Sequence, residues 1–97
     1  MYDWTKKERE AEIYKKAYPP GTRIMLEGMN DPHHPVESGM RGTVDHVDDL
    51  GDIHMKWDNG RGLALVPGED QFRKLTEEEL AEEVREQQEQ TLSEQSM

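Results

Sequence analysis

IHMKWDNGRGLALVPGEDQFRKL, residues 53–75, carries most of the signals from which the fold follows. Ile53, Met55 and Trp57 alternate with His54, Lys56 and Asp58. That period of two puts the apolar trio on one face of a strand, with Trp57 in the core. Asp58-Asn59-Gly60 then predicts a hairpin, because a primed turn needs positive φ at its central positions and Asn and Gly tolerate it best. Leu63–Val66 (LALV) reads as a short buried strand, Pro67–Asp70 (PGED) as another turn, and Phe72–Leu75 as one last short strand.

Upstream the same grammar continues. Thr22–Glu27 (TRIMLE) has strand character, Met29–Gly39 (MNDPHHPVESG) is a polar loop with two prolines, and Arg41–Val47 (RGTVDHV) resumes a β-branched strand. Asp48–Asp52 (DDLGD) supplies the turn into Ile53. Five short, twisted strands joined by tight turns cannot bury both faces of one flat sheet, so they are expected to curl around a single apolar core. The predicted fold is mainly β: a small five-stranded SH3-like barrel over residues 19–75, flanked by an N-terminal helix and a C-terminal acidic helix.

The N-terminal flank, residues 1–18, contains Thr5-Lys6-Lys7-Glu8, a capping-box pattern that predicts a helix. Trp4, Ala11, Tyr14 and Tyr18 fall on one stripe of it, and Pro19 and Pro20 end it. The stripe is expected to pack on the following domain, since left open it would expose a Trp and Tyr patch to a partner or to water. In the C-terminal flank, residues 76–97, Thr76 and Glu79 form a second capping box, with Leu75 and Leu80 at the positions of a hydrophobic staple. A helix is predicted from Glu77, with Glu77, Glu78 and Glu79 favoured by the positive end of its dipole. Beyond Val84 the only large apolar residues are Leu92 and Met97, too few to offset the ordering entropy by burial, so the helix is expected to fray after about residue 88.

Composition narrows the function classes. The 97 residues suffice for one domain, and a hydrophobic share of 32% means that part of the chain is exposed. With 22 acidic and 12 basic residues the net charge is −10, which opposes general nucleic-acid binding. The excess is local: residues 19–75 carry six basic and ten acidic side chains, and residues 76–97 one basic and eight acidic. No stretch approaches the length of a membrane span and the N-terminus lacks the apolar segment of a signal peptide, so a soluble, cytoplasmic protein is expected. The absence of cysteine removes disulfides and thiolate metal sites.

Four motifs in order, Pro19–Arg23 (PPGTR), Gly42–Asp49 (GTVDHVDD), Trp57–Gly60 (WDNG) and Pro67–Leu75 (PGED-F-RKL), resemble the bacterial domain-of-unknown-function family numbered 4314. Its members occur in Gram-positive bacteria, plasmids, integrated elements and phages, so the resemblance implies an accessory protein of a mobile element and no known reaction. More distantly, the same motifs are similar to the SH3-like domains of the Mind-bomb and HERC-type ubiquitin ligases, which implies binding of peptide segments of other proteins. Residues 1–18 and 76–97 lie outside these motifs.

The residues themselves point away from catalysis. There is no cysteine, no Gly-x-Ser-x-Gly elbow and no phosphate-cradling glycine loop before a helix, and Gly60, Gly62 and Gly68 are read as turn residues. His33, His34, His46 and His54 lie among several aspartates, but no spacing is diagnostic of zinc, and Asp48–Asp52 lacks the ligand pattern of a calcium loop. No cofactor and no metal are expected. The leading expectation is a non-enzymatic module that binds another protein through its loops, with His33, His34 and Arg61 as candidates, or through its acidic helix. An alternative has Glu77, Glu78, Glu79, Glu82, Glu83 and Glu86 act as a nucleic-acid mimic against a cationic channel, as an anti-CRISPR or anti-restriction protein would. A third reading is direct nucleic-acid binding through Arg23, Arg41, Lys56, Arg61, Arg73 and Lys74.

Overall fold

The structure, a computed structural model, describes residues 4–29 and 36–95, with the backbone alone for residues 4–5 and 88–95. Helix α1 (Trp4–Ala17) is followed by strands β1 (Arg23–Gly28), β2 (Arg41–Val47), β3 (Ile53–Trp57) and β4 (Gln71–Lys74), and by helix α2 (Glu77–Gln95). The four strands form one antiparallel sheet in the order β3-β2-β1-β4.

Alternation sets which side is core. Ile24 and Leu26 of β1, Val44 and Val47 of β2, and Ile53, Met55 and Trp57 of β3 are buried together with Val36 and Leu65. Gly42 lies opposite Trp57 in the ladder, and a Cβ there would sit 2.8 Å from the Trp57 ring, so the indole packs where the glycine leaves room.

The fifth strand expected at Leu63–Val66 does not form, which corrects the five-stranded prediction. Leu65 exchanges both backbone hydrogen bonds with Ile53 at 2.8 and 2.9 Å, and the pairing stops at that one bridge. Its neighbours are engaged elsewhere: the Leu63 carbonyl accepts from the Trp57 indole N–H at 2.7 Å, and the Val66 amide donates to the Asp70 carboxylate at 2.8 Å. The turn after β3 also differs from a two-residue primed turn. Gly60 N–H donates to the Trp57 carbonyl and Trp57 N–H to the Arg61 carbonyl, both at 2.9 Å, with Gly60 at φ 88°. The loop is therefore longer, and a single left-handed glycine closes it.

Helix α1 already includes Trp4 and Thr5, so the cap expected at Thr5 falls inside the first turn. The helix packs on its own domain as its stripe predicts. Ala11 is buried, and Gly51, in the β2–β3 turn, approaches its backbone so closely that a Cβ would lie 3.6 Å from the Ala11 Cα. Tyr14 and Tyr18 pack against the core, Tyr18 meets Phe72 edge-on at 5.7 Å between ring centroids, and Lys15 pairs with Asp49 at 2.6 Å. The Trp4 side chain lies outside the described residues.

Helix α2 gives the chain its length. The radius of gyration is 16.0 Å, against about 12.5 Å for a compact chain of this size. No helix among the described residues is long and apolar enough to cross a membrane.

Candidate functional site

The face of the sheet turned away from the core carries arginines. Along β1, Arg23 and Met25 alternate with buried Ile24 and Leu26, and along β2, Arg41 and Thr43 alternate with buried Gly42 and Val44. The register pairs Met25 with Arg41 on one side and with Arg73 on the other, and pairs Arg23 with Thr43 and Thr43 with Lys56. Arg41, Met25 and Arg73 thus form one row across three strands, and Lys56, Thr43 and Arg23 the next.

Helix α2 is mounted on these rows by its carboxylates. The capping box forms as its sequence predicts, with Glu79 N–H donating to the Thr76 hydroxyl at 3.1 Å and Thr76 N–H to the Glu79 carboxylate at 2.9 Å. Glu79 also receives two bonds from the Arg73 guanidinium at 2.7 and 3.1 Å. Arg73 and then the Thr76 amide hold its carboxyl down at about 2. One turn on, Glu83 accepts from Arg23 Nε at 3.2 Å and Nη2 at 2.5 Å. Arg23 reaches Asp58 as well, Nη1 and Nη2 lying 2.8 and 2.7 Å from its two oxygens, and Nη1 bonds the Thr43 hydroxyl at 3.1 Å. All five guanidinium N–H donors of Arg23 are thereby used. These partners raise the Arg23 pKa further, and Arg23 holds the Asp58 carboxyl below the ordinary carboxylate range. Arg41 stands between the two glutamates, 3.6 Å from Glu79 and 4.0 Å from Glu83.

The six glutamates singled out by the sequence are therefore divided. Glu79 and Glu83 face the sheet, whereas Glu77, Glu78, Glu82 and Glu86 are exposed. Glu78, Glu82 and Glu86 follow at intervals of four, one helical turn apart, and make a column with a rise of about 6 Å per step. Arg61 is exposed in the turn after β3, where its amide donates to the Asn59 side chain at 3.0 Å. His33 and His34 lie outside the described residues. Arg23, Arg41 and Arg73, which the sequence offers only as nucleic-acid contacts, are the groups that position α2. Their outward alternation was visible, but the four-residue interval between Glu79 and Glu83 acquires meaning only once α2 is seen on that face.

A second cluster sits at the other end of β2 and β3. His46 and His54 are cross-strand partners whose rings stack at 4.4 Å, with His46 Nδ1 2.7 Å from Asp45 and His54 Nε2 2.8 Å from Asp48. Asp48 also caps the turn, accepting from the Leu50 and Asp52 amides at 2.9 and 3.0 Å. Burial raises its pKa, and the bonds from His54 and these amides together outweigh that, so it stays below the ordinary value. Among the described residues no group of three or more His, Asp or Glu is placed to hold a metal ion.

Comparison with family models gives a match to "Domain of unknown function (DUF4314)" over residues 7–75. The chain belongs to the DUF4314 family. The DUF4314 match begins within α1, whose Ala11 and Tyr14 pack on the sheet, and ends at Leu75, before α2. Neither the curated proteins nor the solved structures include a match to this DUF4314 chain.

Proposed function

We infer that this is a non-enzymatic protein-interaction module of a mobile element, in which the sheet is a frame for α2 and α2 meets a cationic surface of another protein. One observation carries the reading. Glu79 and Glu83 are spent on Arg73, Arg23 and Arg41, and this pairing turns Glu78, Glu82 and Glu86 outward as a column on a helix that projects from the domain. Such a column attracts Lys and Arg groups strongly at low ionic strength and weakly once the Debye length shortens.

For the frame we propose an SH3-like wrap of the four-stranded sheet. Its support is that Leu65 bridges to Ile53 on the outer edge of β3 while β4 returns beside β1 at the other edge. Direct nucleic-acid binding is disfavoured by the same geometry, which engages five of the six candidate cations and leaves Arg61 exposed. The donors of Arg23 are saturated, Arg41 and Arg73 are paired with glutamates, Lys56 stands 3.5 Å from Asp45, and Lys74 lies over the Tyr18 ring. If the cationic surface is a nucleic-acid channel, the glutamate column acts as a phosphate mimic, which keeps an anti-CRISPR or anti-restriction role as the second reading.

The test is capture of host proteins on the immobilised full chain, compared with Glu78→Gln/Glu82→Gln/Glu86→Gln. Deleting residues 76–97 would be a poorer control, because it strips three arginines of their partners. A partner held by the wild type at about 50 mM salt, and lost in the variant and at about 500 mM, supports the reading. Capture indifferent to both rejects it.

A further inference from the structure

Between α2 and the sheet runs a groove of about 510 Å³, within the size range of small binding sites. Leu80, Glu83, Val84 and Gln87 form one wall, Thr43 and Asp58 the other, and Arg23 spans the two through its bonds to Asp58 and Glu83. Two features of this groove remain partly open to solvent. The first is apolar: Leu80 and Val84, one helical turn apart, are 39% and 53% exposed on the wall. The second is anionic: the Asp58 side chain is 49% exposed, and a carboxylate has about four acceptor sites, of which Arg23 takes two. Glu77 stands on the same helical line as Leu80 and Val84, since positions 77, 80 and 84 follow a spacing of three and four.

An apolar strip beside the half-exposed Asp58 carboxylate, on a helix that carries most of the chain's excess negative charge, suits a ligand that is apolar and basic at once. The geometry points to this groove as the docking site for a basic amphipathic segment of a partner protein, its apolar side chains on Leu80 and Val84 and a Lys or Arg over Asp58. The assignment goes beyond the reading above: positions 80 and 84 lie on the opposite side of α2 from 78, 82 and 86, so the groove is a contact separate from the glutamate column. A purely cationic segment leaves Leu80 and Val84 in water.

Fluorescence anisotropy with the full chain separates these outcomes. The probes are two labelled 14-residue peptides of equal charge, one of Lys and Leu at helical spacing and one with Ser in place of every Leu. The wild type is expected to bind the Lys/Leu peptide about tenfold more tightly than the Lys/Ser peptide. Leu80→Ser/Val84→Ser should bring that ratio close to one without changing Lys/Ser binding, Leu80→Met/Val84→Ile should keep it, and Asp58→Asn should weaken both peptides. Circular dichroism and a cooperative melting transition verify that the serine variant is folded. A tenfold ratio that persists in the serine variant overturns the groove. Equal binding of the two peptides by the wild type, or failure to bind either, also overturns it, and neither result bears on the glutamate column, which has its own test.

Discussion

Arg23, the first residue of β1, and Glu83, in the second turn of α2, are 60 positions apart in sequence and joined by two hydrogen bonds. Both are largely shielded, with side-chain exposures of 19% and 24%. A pair in that setting is worth more than one in open solvent and less than a buried one. A double-mutant cycle with Arg23→Gln and Glu83→Gln, followed by urea unfolding, is expected to give a coupling of about 0.5–1.5 kcal/mol. Strict additivity would mean that the bond does not contribute to holding α2.

The Glu79 carboxyl fixes a pH window. Its pKa falls from an ordinary 4.5 to about 2 on folding, so the stabilisation is complete above 4.5, declines as pH falls through that interval and is gone below about 2. Asp58 and Asp48, also held below their ordinary values, lose their contributions in acid in the same direction. The melting temperature should therefore fall on acidification from pH about 5 to about 2.5, and Glu79→Gln should lower it at pH 7 and flatten the fall. An identical acid profile in the variant would contradict this.

Gly42 and Gly62 should respond oppositely to alanine. At Gly42 a Cβ meets the Trp57 ring at 2.8 Å, the Lys56 carbonyl at 3.1 Å and the Met55 methyl at 3.1 Å, two of these being core groups. Gly42→Ala is expected to cost about 1–3 kcal/mol in urea unfolding. Around Gly62 nothing lies within 4 Å, so Gly62→Ala should be neutral or stabilising by up to about 1 kcal/mol.

Trp57→Phe keeps a buried ring and removes the N–H that satisfies the Leu63 carbonyl. The expected loss is about 1–3 kcal/mol. Amide exchange should report faster opening at Leu65, whose bridge to Ile53 is the remaining tie of that segment to the sheet edge.

The parts of this protein legible in its sequence are those governed by near neighbours. The Thr76–Glu79 box is a three-residue relationship and forms as written. The alternation of Ile53, Met55 and Trp57 places all three in the core. The failed strand at Leu63–Val66 shows the limit. Its apolar pattern is that of a strand, but an indole and the Asp70 carboxylate compete for its backbone groups, and both depend on how the chain folds back. The candidate site was legible only as charge. That the glutamates of α2 and the arginines of β1, β2 and β4 are each other's partners follows from the side of the sheet on which α2 lands, which no local spacing encodes.

The central claim, that arginines of the sheet hold α2 in one position from which its free carboxylates project, can be measured as a distance. The chain has no cysteine, so Lys56→Cys on β3 and Arg85→Cys on α2, both exposed, provide a unique spin-label pair for double electron–electron resonance. The account predicts a single narrow distance distribution that broadens when Arg23→Ala and Arg73→Ala are added. A broad distribution in the parent protein, or one that stays narrow without the two arginines, would contradict it.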